Sequence, residues 1–312
     1  MAILDNFSSG KLAYVEALPA RIVRGEISDE TITRLALKDC EIVIHLAALP
    51  YIPVSYIAPD EFFRVNSMGT VQLLWRAIQT ESVERFVHIS TSEVYGTARF
   101  TPITEEHPTM PHSTYAASKL AADRAVFTMH KEHDFPVTII RPFNSYGPRI
   151  TQPYIVPEIA CQLLEGKGEI TLGNTSASRD FTYVRDTARA VILASQEPNA
   201  IGETINVGTG KDITIRELAE LMAQIMQVDL RIKIDVQRLR PFDVERLVAS
   251  SDKARNILRW QPQVPLREGL ELTVDWIRSH NFKYGHQGEP FREWINLWRS
   301  YNPRRKGAAT VV

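Results

Sequence analysis

Short apolar runs alternate along this chain with stretches whose apolar residues recur every three or four positions. MAIL at the start reads as a brief strand ending at Asp5, followed by a loop over Asn6–Gly10. ARIVRG (20–25), EIVIHLAA (41–48), RFVHISTSEVYG (85–96), PVTIIRPFNSYG (136–147) and ETINVGTG (203–210) predict further strands, several running into polar loops. The run at 41–48 is apolar nearly throughout, as a strand buried on both faces should be. Helical spacing marks 60–80, 113–133 with Ser113 as N-cap, and 213–226 with Thr214 near its start.

Strands that alternate with helices predict βαβ units, hence an α/β fold with a Rossmann-like, doubly wound parallel sheet. Such sheets bind ligands at the carboxyl ends of their strands. Asp5, Ala47–Ala48, Ser90–Glu93 and Pro142–Asn144 all fall at those ends. The second half differs. Residues 149–195 read as helices and a polar loop, NTSASRDFTYVRD, and 229–262 as a short strand, RLRPFDVER and a helix. The expected organisation is a nucleotide-binding domain over 1–148, with about 181–210 returning to it. A smaller substrate-binding cap over 149–180 and 211–280 and a C-terminal extension over 281–312 complete it.

Composition narrows the partners. A net charge of −1 gives no general pull toward nucleic acid or anionic lipid, so any anion must be met by placed groups. Cys40 and Cys161, far apart, form neither a disulfide framework nor a zinc pattern. A cytoplasmic protein is expected, without metal, nucleic-acid or membrane partners.

The chemistry centres on STSEVYG (90–96) followed by YAASK (115–119). Tyr115 and Lys119 are four apart and share a helix face. A phenol with a pKa of about 10 is a poor base at neutral pH. A neighbouring ammonium and an oxidised nicotinamide would favour phenolate, which could take a proton from a sugar hydroxyl held also by Thr91.

LDNFSSG, HLAA, the Val-Asn at 65–66, STSEVYG, YAASK, RPFNSYGPR, SRDFTYVRD, INVGTG and RPFDVER together resemble the extended short-chain dehydrogenase/reductase superfamily. The similarity is to its NAD-dependent nucleotide-sugar epimerase/dehydratase branch and extends to about residue 278. It implies that Asp5 and Asn6 hold the adenosine ribose. Glu26 and Ile27 would lie beside the adenine, where the family usually has Asp-Ile. Leu46, Ala47 and Ala48 would line the pyrophosphate and nicotinamide ribose, and Asn66 would be a structural, cofactor-proximal group. Tyr115 and Lys119 would be the base and its partner. Asn144, Arg179 and Arg240 would bind the diphosphate of the nucleotide sugar, with a homodimer built from the helices at 60–80 and 113–133.

All branches of this family first oxidise C4 of the sugar. Thr91-Ser92-Glu93 resembles the triad of 4,6-dehydratases, where the carboxylate removes the C5 proton; Ser92 stands where many carry Asp. A 4,6-dehydratase is the expectation, with a 4-epimerase or a uronate decarboxylase as alternatives. The glycine-rich phosphate turn of this fold would precede a strand like 1–5, and no substitute for it occurs in the chain. The sequence therefore reads as a truncated or mis-started piece of a longer enzyme that binds NAD weakly. A non-catalytic relative is the alternative of another class.

Overall fold

The computed structural model describes residues 1–165 and 168–282. The C-terminal extension, with Trp294 and Trp298, lies outside them beyond Phe282. In chain order the elements are β1 (Ala2–Asp5), β2 (Arg21–Arg24), α1 (Glu30–Leu37), β3 (Ile42–His45), α2 (Ile52–Ser55), α3 (Pro59–Phe62), α4 (Thr70–Ile78), β4 (Arg85–Ile89), α5 (Thr114–His133), β5 (Val137–Pro142) and β6 (Asn144–Tyr146). Then follow α6 (Ile155–Leu164), β7 (Glu169–Leu172), β8 (Ser178–Tyr183), α7 (Val184–Gln196), β9 (Thr204–Val207), β10 (Asp212–Thr214), α8 (Ile215–Met226), β11 (Arg231–Ile234), β12 (Arg246–Leu247), α9 (Asp252–Leu258) and α10 (Leu266–Ser279).

β3, β4, β5 and β9 pair in that order, all parallel, as βαβ alternation requires. Alternate residues feed two separate cores. Phe86 and Ile139 pack with Leu73, Leu74 and Ala77 of α4 and Val126 of α5. Val87 and Ile140 pack on the other face with Ala190 and Ala194 of α7, Leu258 and Trp260. This is the doubly wound α/β fold, and both faces of the central strands are covered. β1 and β2 pair with each other as a separate parallel ribbon.

β3 departs from the expectation of a strand buried on both faces. Ile42 and Ile44 are 41% and 39% exposed. The reason is topological: among the described residues β3 pairs with β4 alone, so its other edge and one face lack a cover. The helix expected over 60–80 is divided by a π-helical stretch at Phe63–Gly69, between α3 and α4. That wider turn contains Asn66.

The polar stretch 174–186, expected as a loop, contains β8, which is buried along its whole length. β8 pairs with β10, β12 and β6. Its polarity is compatible with burial because its groups are partnered. The Asp180 carboxylate accepts from the Thr209 amide and hydroxyl (2.8 and 2.6 Å), Gly210 N and Ala249 N. Around this second sheet a separate apolar core joins α6, α8 and α10 through Ile159, Leu163, Leu218, Met222, Leu270 and Val274.

Two imidazoles lie side by side in the first sheet, where His45 of β3 is in register with His88 of β4, rings 5.5 Å apart. The Thr70 hydroxyl donates to Asn66 O, so it accepts from His45 Nε2 at 2.8 Å. Both rings are held neutral. Burial, then the nearby Lys119, lowers His45 to about 3, and burial lowers His88 as well. The unfolded chain binds a proton at His45 near pH 6.5 and the folded chain does not until about pH 3. Stability therefore falls as the pH is lowered across that window, by about 3 kcal/mol from pH 7 to pH 4 from His45 alone. Urea titrations should show a shallower pH slope for His45→Gln than for the wild type; parallel slopes would contradict this.

Candidate active site

Strand ends set the site. The loops leaving β3, β4 and β5 converge on one cavity of about 460 Å³, closed on its far side by α6 and the segment before β12. That volume is ordinary for a small-molecule site. Leu46, Ala48, Ser90, Thr91, Ser92, Glu93, Tyr115, Lys119, Asn144, Arg179 and Arg240 all line it. Eleven positions singled out from the sequence thus meet in one space.

The β4 end turns sharply. Thr91 caps a 3-10 turn over Ser92–Tyr95, its hydroxyl accepting from Glu93 N at 3.2 Å. Ser92 and Glu93 are buried at this turn. Gly96 leaves it at φ +66, where a Cβ would overlap the Met110 carbonyl. α5 begins opposite. The Ser113 hydroxyl accepts from Ala116 N at 3.1 Å, which fixes the first turn and aims Tyr115 at the cavity. The Thr91 hydroxyl lies within hydrogen-bonding reach of the Tyr115 phenol, whose ring meets Phe62 edge-on. Lys119 Nζ donates to Ile89 O at 2.6 Å and is itself buried.

The electrostatics differ from the expectation of a phenol acidified by its lysine. Burial pushes Tyr115 up to about 12, Thr91 opposing and Glu93 reinforcing it. The Lys119 ammonium is directed to the Ile89 carbonyl. Burial also lowers Lys119, to about 8, against the pull of Asp123 one turn on.

A charge network stands behind the turn. Asp123 accepts from Arg141 Nε and Nη2 at 2.9 and 3.1 Å and from Arg124 Nε at 2.9 Å. Arg141 donates to Tyr95 OH, which donates to Asn206 Oδ1, which ties the β4 turn to β9. Asn66 is committed on all sides, bonding Leu49 N and O and Ser118 Oγ at 2.7, 3.1 and 3.0 Å. It fastens the β3 loop to α5.

At the far wall Arg179 Nη2 and Arg240 Nη1 both reach Asp243 at 3.5 Å, and Arg179 also bonds Ser178 O. Burial lowers Arg179. Burial also opposes the charge of Arg240, but Asp243, Tyr56 and Glu93 together outweigh it and raise its pKa. Three polar atoms on the wall are buried without a partner: Ser90 Oγ, Asn144 Oδ1 and the Tyr51 hydroxyl.

The remaining sequence-singled residues lie elsewhere. Ala47 and Ile27 pack into the core with Leu74. The Asp5 carboxylate accepts from Phe7 N at 2.6 Å, and Asn6 donates to Glu26 at 2.8 Å, beyond the ends of β1 and β2. Sequence reasoning missed Tyr51, Tyr56, Tyr154 and Glu158, whose only signal is two aromatic clusters, PYIPVSY and PYIVPE, each near the end of a strand or the start of a helix. It also passed over Arg238, the first residue of RLRPFDVER. Among the described residues no group of His, Cys, Asp and Glu could hold a metal ion, and no helix is long and apolar enough to cross a membrane.

The family model for GDP-mannose 4,6 dehydratase matches residues 3–273. A mouse dTDP-D-glucose 4,6-dehydratase is 31% identical over 283 residues, 87% of this chain and 78% of its own length. Among solved structures, a Streptomyces venezuelae dTDP-glucose 4,6-dehydratase with NAD and a second ligand bound superposes with a TM-score of 0.82. It is 31% identical and covers 90% of this chain and 88% of its own. A Thermotoga maritima UDP-glucose 4-epimerase with UDP-glucose gives the same TM-score at 30% identity, covering 90% and 91%.

The network makes a prediction about support rather than chemistry. Asp123→Asn should cost about 3–5 kcal/mol in urea unfolding, because it leaves the buried Arg141 without its partner. Arg124→Ala, which removes the half-exposed partner, should cost less than about 1 kcal/mol. Equal losses would contradict this division.

Proposed function

Because the chain belongs to the GDP-mannose 4,6-dehydratase family of nucleotide-sugar dehydratases and epimerases, we propose that this enzyme is an NAD-dependent nucleotide-sugar 4,6-dehydratase. The observation that carries the finer assignment is Glu93. It is buried on the same turn as Thr91 and lines the cavity shared with Tyr115, so a second base faces the sugar. An epimerase that only oxidises and re-reduces C4 has no use for one.

The nicotinamide end of the cofactor fits this chain: the unpartnered Ser90 hydroxyl and Lys119 share one wall of the cavity. Asp5 and Glu26, at the ends of β1 and β2, offer carboxylates to a ribose. When bound, NAD supplies the acceptor and donor of hydride and, oxidised, a positive charge in the site. The protein residues do the rest. Thr91 holds the 4-hydroxyl while the Tyr115 oxygen takes its proton. The resulting ketone acidifies C5, and the Glu93 carboxylate removes that proton as water leaves from C6. Ser92 or the protonated Glu93 delivers the proton to the leaving hydroxyl. Arg179 and Arg240 bind the diphosphate, turning from Asp243 toward it as charge-assisted donors, and Asn144 joins them through its free oxygen. Exposed Phe63, Met68 and Trp75, with Phe127 on the neighbouring α5, form the face on which two copies would pair.

The likeness to a 4-epimerase supports the alternative reading, and Glu93 separates the two. Glu93→Gln should abolish the 4-keto-6-deoxy product, by about 100-fold or more, while C4 oxidation, read as NADH absorbance, persists. Product formation unchanged in Glu93→Gln would favour epimerisation. Tyr115→Phe should lose both signals yet bind the nucleotide sugar as the wild type does; retained turnover would refute the assignment of the base.

A further inference from the structure

The segment 239–243, on the way to β12, carries Arg240 and Asp243 into the cavity wall. Among the described residues Arg240, Pro241 and Phe242 make no backbone hydrogen bond, so side-chain contacts set where this segment lies. The Asp243 carboxylate meets Arg179 and Arg240 at 3.5 Å and accepts from Asn174 Nδ2 at 3.2 Å. Two further contacts come from His112. Its ring stacks on Phe242, with centroids 3.7 Å apart and the planes 17° from parallel. Its Nδ1 lies 3.1 Å from the Asp243 carbonyl oxygen, which can only accept, so Nδ1 carries the proton.

His112 does not line the cavity, yet it borders the residues proposed to act there. It directly precedes Ser113, the cap of α5, and so stands just ahead of Tyr115. Its ring edge lies against Gly96, where the Glu93 turn ends; a Cβ on Gly96 would come within 2.9 Å of it. On the other side of Asp243, Val244 and Leu247 share a core with Val94 and Tyr95 of that same turn.

We propose that His112 is a positioning residue for the substrate: it fixes the 239–243 segment, and through it Arg240, at a set distance from Tyr115 and Glu93. The inference rests on the nucleotide-sugar reading above and deepens it. When a diphosphate takes Arg179 and Arg240, Asp243 gives up both cations. Asn174 and His112 then hold the segment in place. Arg179 needs no such support, because β8 carries it between two paired strands. The contribution of His112 therefore goes to Arg240 alone.

Calorimetric titration of the full chain with UDP, dTDP and GDP, NAD⁺ present, tests this. For the diphosphate that the wild type binds, His112→Ala should weaken affinity about fivefold to tenfold. His112→Phe, which keeps the ring stack and loses the donor, should fall between the two. In an Arg179→Ala background each His112 variant should cost the same factor as in the wild type. In an Arg240→Ala background each should cost less than about twofold, because the residue it supports is gone. Unchanged affinity in His112→Ala, or equal losses in the two arginine backgrounds, would overturn the inference and spare the nucleotide-sugar reading; a merely structural role gives the equal losses. A wild type that binds none of the three diphosphates would overturn both.

Discussion

A half-buried phenol at the edge of the cavity is the constraint on which this site turns. Desolvation favours the neutral form of Tyr115 and pushes its pKa up to about 12. To act near pH 7 the group must gain about 7 kcal/mol in favour of its anion. Thr91 supplies one hydrogen bond toward that end, and Glu93 works against it. Lys119 donates to the Ile89 carbonyl. A positive charge arriving with an oxidised cofactor would shift the balance toward the anion.

The fold serves this arrangement by bringing the loops that leave β3, β4 and β5 together and tying them from behind. Asn66, carried on a π-helical turn, fastens the β3 loop to α5. The chain from Asp123 through Arg141 and Tyr95 to Asn206 locks α5, β5, the β4 turn and β9 into one unit. The far wall is looser in character: Arg179 and Arg240 share Asp243 at 3.5 Å, longer than a good charge-assisted bond. Groups that must exchange one anion for another are better held this way than in a tight pair.

Much of this was legible in the sequence because two kinds of signal agreed. Period-2 and period-3.6 apolar patterns placed the strands and α5, and the polar residues at their junctions are the ones that line the cavity. What pattern could not show was pairing. Ile42 and Ile44 look like core residues, yet among the described residues their strand has a neighbour on one side only. SRDFTY looks like a loop until Thr209, Gly210 and Ala249 are seen to satisfy Asp180. Lys119 sits one turn from Tyr115 in any helix, and only the fold shows that its ammonium donates to the Ile89 carbonyl. Tyr51 and Glu158 were out of reach, since aromatic and acidic residues beside prolines carry no chemical signature until they share a wall.

The most direct measurement is an ultraviolet difference titration of the phenolate, comparing wild type with Tyr115→Phe, with and without saturating NAD⁺. The account predicts that Tyr115 ionises near pH 12 in the free protein and that its phenolate band appears several pH units lower once NAD⁺ is added. A phenolate that forms at the same pH in both states would contradict it.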